Sequence, residues 1–312
     1  MQNKYLPEGS LICTSENREY TSSLAGLERA RQEGKILEGV VNLCDSQTLS
    51  MHIDLCGVHG IIYKEEALLG NAIKDIAIIT RVGKPVAFKV MQIIKDEKNK
   101  PLVILSRKEA QRECINNYLM DLIPGDIIPA KITHFEPFGA FVDIGCGVNS
   151  LISIDSISVS RISNPAQRFE LRQEINVVVK SIDYEEQRLY VSTKELFGTW
   201  EENASCYKVG QTVSGIIRSV EDYGVFVELA PNLAGLAEIK DGVEVGQSCA
   251  VYIKSIIPEK MKVKLVIIDT YDEELFKNAN DYYFINTEKV KHIDYWKYSP
   301  NSSSKVIESD FR

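Results

Sequence analysis

"FEPFGAFVDIG" at residues 135–145 and "VEDYGVFVELA" at residues 220–230 decide the reading of this chain. Each stretch sets two aromatic residues three positions apart around a glycine, Phe138 and Phe141 in one and Tyr223 and Phe226 in the other. The likeness runs on. Residues 128–157 (IPAKITHFEPFGAFVDIGCGVNSLISIDSI) align without gaps, at an offset of 85, with residues 213–242 (VSGIIRSVEDYGVFVELAPNLAGLAEIKDG). Past a connector, VVVKSIDYEEQRLYVSTK at 177–194 matches VYIKSIIPEKMKVKLVII at 251–268. The offset has by then dropped to 74, so the later copy is 11 residues shorter between its third and fourth strands. An internal repeat sets the architecture before any single residue is weighed.

A fainter copy precedes both, at residues 36–66 and 82–109. Where the later copies carry their aromatic pair, it has Leu49, Ser50, Met51 and His52, with two extra residues in the hairpin. The same frame is therefore expected to serve another purpose there.

Within each copy, short runs rich in Val, Ile and Phe alternate with polar residues and end at Gly, Asn, Asp or charged turns, the signature of half-buried strands. The pattern predicts five strands per copy; in the second they fall near 126–134, 138–144, 150–154, 175–182 and 187–192. Five strands in about 70 residues suit a small closed Greek-key barrel of the OB-fold type, which removes the edges an open sheet would expose. RKEAQRECINNYLMDLI at 107–123 has helical spacing, with Ile115, Leu119 and Leu122 on one stripe. STKELFGTWEENASCYKVG at 192–210 reads as a shorter link. Ahead of the first copy, capping Ser and Thr residues precede a predicted helix that stops at Gly34.

Length and composition narrow the function classes. At 312 residues, two or three domains are expected, and 44% hydrophobic with 26% charged residues is ordinary for a soluble globular protein. No apolar run approaches the ~20 residues of a membrane helix, and no basic-then-apolar leader opens the sequence, so a cytoplasmic protein without a membrane role is expected. The seven cysteines (Cys13, Cys44, Cys56, Cys114, Cys146, Cys206, Cys249) are scattered singly and there are only four histidines, which argues against a zinc site and for free thiols. No nucleophile with a base, phosphate-cradling loop or carboxylate cluster is recognisable, so neither an enzyme nor a cofactor is expected. The net charge of -8 weighs against coating duplex nucleic acid through bulk positive charge, and leaves open the binding of single strands by stacking.

The residues PGDIIPAKITHFEPFGAFVDIGCGVNSLISI followed by VVVKSIDYEEQRLYVSTKE resemble the S-one RNA-binding domain, an OB-fold of the bacterial ribosomal protein S-one family. Three copies with a degenerate first one make the chain similar to a short member of that family over about residues 34–268. The resemblance implies a mainly β chain of three tandem five-stranded OB-fold barrels of the S-one type with short helical connectors. The expected layout is a helical lead-in at 1–33, copy 1 at 34–109, a helical linker at 110–122, copy 2 at 123–196, a linker at 197–207, copy 3 at 208–268 and an aromatic-rich tail at 269–312.

In that family RNA lies across strands two and three, against the hairpin aromatics, a histidine of the third strand, and polar or basic residues near the last hairpin. Carried over, this implies Phe138, Phe141, Asp183 and Arg188 in copy 2, with Ser153 at the histidine position. In copy 3 it implies Tyr223, Phe226 and Lys262, with Glu238 at the histidine position and Pro258 where the aspartate would be. Further candidates come from residue type: Lys131, Lys180, Arg218 and Lys254 to meet phosphates, and His134 to stack on or donate to RNA. Each also has a plain reading as a solvated surface charge or a barrel-rim histidine. An aromatic ring holds a base without reading its identity. Strict alternation would put Phe138 and Phe141 on opposite faces, so a turn or bulge between them is required, with Gly139 giving the backbone freedom.

The leading expectation is a non-enzymatic binder of single-stranded RNA, mRNA during translation, held on the small ribosomal subunit in part by copy 1. A protein-interaction module and an accessory RNA-binding subunit of the RNA decay machinery are the alternatives. The tail from 278 to 305, with Tyr282, Tyr283, Phe284, Tyr295, Trp296 and Tyr298, is expected to cover the flank left by the shorter connector of copy 3 rather than to add a stacking surface.

Overall fold

Residues 4–70, 75–272 and 279–312 are described by a computed structural model. Three closed five-stranded barrels form its frame. Barrel 1 consists of β1 (Ile36–Cys44), β2 (Met51–Leu55), β3 (Val58–Ile62), β4 (Pro85–Lys95) and β5 (Pro101–Ser106). Barrel 2 consists of β6 (Ile127–Glu136), β7 (Gly139–Asp143), β8 (Asn149–Ser153), β9 (Glu174–Asp183) and β10 (Arg188–Ser192). Barrel 3 consists of β11 (Thr212–Glu221), β12 (Gly224–Ala230), β13 (Leu233–Ala237), β14 (Ser248–Ile257) and β15 (Lys262–Tyr271). All three share one order, in which the third strand pairs with the fifth and the fourth returns beside the first. The closing pair is parallel in each case, as at Ile61↔Ile104, Leu151↔Tyr190 and Leu236↔Lys264. Alternation drives this closure: on β15, Val263, Leu265 and Ile267 are buried while Lys262, Lys264 and Val266 face out.

The lead-in differs from the single helix expected. It forms two helices, Ser15–Thr21 and Leu24–Glu33, because the Ser23 side chain accepts from the Gly26 N–H and starts a new helix there. The second helix ends at Gly34, as read from the sequence. The 107–123 segment is helical over Arg107–Asn117 and continues as a 3-10 turn at Leu119–Asp121, with Ile115 and Leu119 buried.

The chain packs as two compact units. The first holds Met1–Leu122, Pro129–Lys131 and Asp143–Asn149. At its polar centre the Glu8 carboxylate accepts from Arg107 at 2.6 and 3.0 Å and from Arg81 at 3.0 Å, and the Glu8 N–H donates to Asp143 at 2.7 Å. Burial works against the charge of Glu8, yet the two guanidiniums hold its carboxyl below the ordinary range. Nearby, Glu38 accepts from the N–H groups of Gly9, Leu11 and Ile12, while burial pushes its carboxyl up to about 7.

The second unit holds Ile123–Ile128, Ile132–Val142 and Ser150–Arg312. Its buried polar centre is Glu228 on β12, gripped by Arg168 at 2.6 and 3.0 Å and by Arg218 at 2.7 Å. The tail is packed on barrel 3 as expected, with Ile293, Trp296 and Tyr298 in one buried cluster with Val225, Val227 and Leu233, but it reaches barrel 2 as well and leaves the short connector uncovered. Its backbone bonds go to Gly125 and Ile127 beside barrel 2 and to Leu196 and Trp200 in the link. The Tyr298 hydroxyl donates to Asn232 O at 2.6 Å, and Trp296 is buried. Ile239 and Val245, on the short connector of barrel 3, stay exposed at 58% and 56%. The tail also runs along the start of β6, where the Ile127 N–H donates to Lys291 O.

Candidate nucleic-acid interface

Pairing register lines up one outward-facing row across four adjacent strands of each barrel. In barrel 3 the row is Ser219, Phe226, Leu236 and Lys264. In barrel 1 the same register positions hold Leu43, His52, Ile61 and Ile104, of which Ile61 is buried. In barrel 2 the repeat offsets give His134, Phe141, Leu151 and Tyr190; the His134 ring lies on Phe141 and Tyr190 pairs with Leu151. Each row follows a slip in register on the first strand, between Val41 and Leu43 and between Ile217 and Ser219. In barrel 2, Thr133 and His134 are exposed in succession, the mark of the same bulge.

The two rings of each aromatic pair do share one surface, and the reason is a turn. Phe138 and Tyr223 sit in the two-residue turns that precede β7 and β12, so they escape strand alternation. They meet Phe141 and Phe226 edge to face, with ring centres 6.1 Å apart in both barrels. Phe138 is 55% exposed and Tyr223 68%. Gly139 is needed for closeness rather than for the conformational freedom expected of it: a Cβ there would lie 2.2 Å from the Ile152 carbonyl oxygen of β8. At Gly224 the same atom would fall 2.6 Å from Ala237 O.

His134 extends the barrel 2 surface. Its imidazole lies flat on Phe141, with centres 4.3 Å apart and planes 6° from parallel. Tyr190, a residue that sequence reasoning passed over, adds a further exposed ring at the far end of the row. Its signal was present, since Leu189 and Val191 on either side are buried and Tyr190 must face outward.

The basic candidates divide. Arg188 projects with a side chain 66% exposed, and Lys262 and Lys264 stand out on β15. Lys254 is exposed but faces Glu238 at 3.1 Å, the residue at the third-strand histidine position. Lys180 donates to Ser156 at 3.1 Å. Two expectations are corrected. Arg218 is not a surface cation: the bulge turns it to Glu228, and its side chain is only 9% exposed. Lys131 belongs to the first unit, where its ammonium donates to Glu8 O at 3.3 Å. Asp183 shapes the β9–β10 turn, accepting from the N–H groups of Glu185 and Glu186. Ser153 bonds Ser156, and Pro258 opens a 3-10 turn.

Barrel 1 carries imidazoles where the others carry rings. His52 Nδ1 meets His59 Nε2 at 2.8 Å, and His52 Nε2 lies 3.2 Å from Ser50 Oγ. Ser50 Oγ is 2.8 Å from Thr48 Oγ1, which donates to Asp45 at 3.0 Å. Asp45, held below the ordinary range by the Thr48 and Gln47 N–H groups, can only accept. Each donor along the chain is thereby assigned: Ser50 donates to Thr48, His52 Nε2–H to Ser50, and His59 Nε2–H to His52 Nδ1. Burial and then the neighbouring His59 hold the His52 ring below the ordinary imidazole range.

With this geometry in place, likeness to known proteins bears on the family. The family model of the S1 RNA binding domain matches residues 121–194, which contain the whole of barrel 2. The small ribosomal subunit protein bS1 homolog of Bacillus cereus is 28% identical over 246 residues, covering 72% of this chain and 58% of that protein. The bS1 protein of Rhizobium meliloti is 24% identical over 281 residues, covering 85% of this chain and 48% of its own length. That of Staphylococcus aureus is 27% identical over 282 residues, covering 85% of this chain and 70% of its own. The chain thus spans about half the length of the first two relatives. It is a homologue of the bS1 ribosomal proteins, built of three OB-type barrels, with an S1 RNA binding domain at residues 121–194.

Proposed function

We propose that this protein binds single-stranded RNA without catalysis, and that its ligand in the cell is mRNA during translation. The observation that carries this reading is the recurrence of a surface ring cluster at one place in two barrels: exposed His134, Phe138 and Tyr190 with half-buried Phe141 in barrel 2, and exposed Tyr223 with half-buried Phe226 in barrel 3. Exposed rings at the same register positions of a repeat hold successive bases by stacking, each worth about 1 to 3 kcal/mol. Arg188, Lys262 and Lys264 stand beside these rows to meet phosphates. Asp183 supports the contact indirectly, by fixing the turn that presents Arg188.

Barrel 1 takes a different part in this reading. Its row offers an exposed Leu43 with half-buried His52 and Ile104, Ile61 being buried, so aliphatic side chains and a hydrogen-bonded imidazole pair stand in place of the aromatic pair. Such a surface favours a protein partner, and barrel 1 is assigned the contact with the small ribosomal subunit. Sedimentation of lysate through a sucrose gradient tests both halves. The protein should travel with small subunits before and after nuclease treatment that removes mRNA, and a variant carrying His52→Ser and Leu43→Ser should leave them. Migration only at the top of the gradient, with RNA binding intact in purified protein, would move the function from translation to RNA decay.

A further inference from the structure

Thr133 and Phe141 fix more about His134 than its place in the row. The Thr133 hydroxyl has one proton, and it is given to Phe141 O at 3.0 Å. The same oxygen lies 3.3 Å from His134 Nδ1, so it can only accept there, and the neutral imidazole carries its proton on Nδ1. Nε2 is left with its lone pair. One face of the ring is spent on Phe141, and His134 is otherwise exposed. A nucleotide arriving at barrel 2 therefore meets a flat ring with a fixed hydrogen-bond acceptor in its plane. Phe141, which sequence reasoning put in direct contact with a base, is covered on the His134 side and acts there as a backing ring.

We propose that His134 Nε2 accepts a hydrogen bond from the 2′-hydroxyl of a bound nucleotide, so that barrel 2 prefers RNA to DNA. This rests on the reading of the ring rows as an RNA surface. The 2′-hydroxyl is the donor that every ribonucleotide offers whatever its base, which suits a row that holds bases by stacking and not by identity. An N–H of the base edge has the same donor chemistry and is the rival source. Barrel 3 lacks the device: its row has Ser219 opposite Phe226, a hydroxyl that both donates and accepts, and among the described residues the ring that meets Phe226 is Tyr223, edge-on rather than flat. The preference is thus a property of barrel 2.

The test uses the full chain with Tyr223→Ala as background, to weaken barrel 3, and fluorescence anisotropy at one salt concentration. Its probes are oligo(U), oligo(dU) and N3-methylated oligo(U) of equal length. The parent should prefer oligo(U) to oligo(dU) by about threefold to tenfold, the range of one neutral hydrogen bond. N3-methylation should leave affinity unchanged. His134→Phe keeps a stacking ring and removes the acceptor, so it should bind oligo(dU) as before and lose the preference. His134→Gln restores an acceptor without the ring and should recover part of the preference at lower affinity. Equal affinity of the parent for oligo(U) and oligo(dU), or an undiminished preference in His134→Phe, overturns the inference while leaving RNA binding in place. A loss on N3-methylation that His134→Phe abolishes overturns it too, in favour of the base edge. Failure of the parent to bind any probe removes the RNA reading itself, and the inference with it.

Discussion

Truncating the turn aromatics to alanine separates binding from stability more cleanly than any other change on this surface. Tyr223 is 68% exposed and Phe138 is 55% exposed, so about half or less of either ring is withdrawn from water in the free protein. Full removal of a buried Phe or Trp side chain costs about 3 to 5 kcal/mol, and a ring this exposed should cost about 1 to 2 kcal/mol. In a unit of this size that lowers Tm by about 2 to 4 °C per kcal/mol. Loss of one stacked base, at about 1 to 3 kcal/mol, weakens affinity by about 5-fold to 150-fold. Anisotropy of an unstructured RNA long enough to cross both barrels, read beside thermal unfolding, gives both quantities for Phe138→Ala, Tyr223→Ala and the double variant. If one strand runs over both barrels, the two losses add in the double variant. If each barrel holds its own strand, the single variants barely change the tightest binding and only the double one falls steeply. Unchanged affinity in the double variant, with both proteins folded, refutes the assignment of these rings to a ligand.

Other consequences can be measured on the same protein. Because the exposed cations beside the rows are few (Arg188, Lys254, Lys262 and Lys264), log affinity should fall with log salt at a slope of about -2 to -3, at about -0.7 per phosphate; a slope near -6 would mean a larger electrostatic footprint. Trp296→Ala should destabilise the second unit by about 3 to 5 kcal/mol, read as a lower melting temperature, and leave RNA affinity within about twofold; a stable variant with lost affinity would make the tail part of the interface. Burial raises the carboxyls of Glu38 to about 7 and Asp143 to about 6, above their values of 4.5 and 3.8 in unfolded chain. Their contribution to stability is therefore present below those lower values and lost as pH rises through 6 to 7. Hydrogen exchange of the β1 amides, corrected for intrinsic rate, should show weaker protection at pH 8 than at pH 5, and Glu38→Gln, which mimics the protonated acid, should flatten that dependence; stronger protection at pH 8 would contradict it.

The strands were legible because burial follows a period of two through every barrel, and because the repeat checks each assignment against a second copy. In the second copy the predicted strands fall within a few residues of β6 to β10. The bulge on the first strand was not legible, since it is a matter of register between strands and no residue of Asn42, Thr133 or Arg218 announces it. Its consequences were missed with it. Arg218 looked like one more surface cation because nothing in the alternation shows the bulge turning it to Glu228, the acid that Arg168, 50 residues earlier in the chain, also grips; Glu228, an acid in the middle of an apolar run, was the available clue. The stacking of His134 on Phe141 was hidden for the same reason: in a strictly alternating strand Thr133, not His134, would have faced the ring. The tail's packing on barrel 3 was legible from its length and aromatic content, but its further backbone bonds to Gly125 and Ile127 of barrel 2, and its failure to cover the short connector, were not.

One position ties the repeat to its setting. Asp143 ends β7 and Glu228 lies on β12, 85 residues on, so the two occupy the same place in their barrels. Both are buried, and each takes a donor from outside its own barrel beside donors from within it: Asp143 the Glu8 N–H beside those of Gly145 and Gly147, and Glu228 the Arg168 guanidinium, from the connector after β8, beside Arg218 of β11. A buried carboxylate left alone would cost several kcal/mol, so each barrel of this kind demands a donor from a neighbouring segment of the chain. The outward row and this inward acid sit on the same second strand. The strand that offers rings to a ligand on one face is anchored through an acid on the other, with one of its donors drawn from a segment outside the barrel, Glu8 for Asp143 and Arg168 for Glu228.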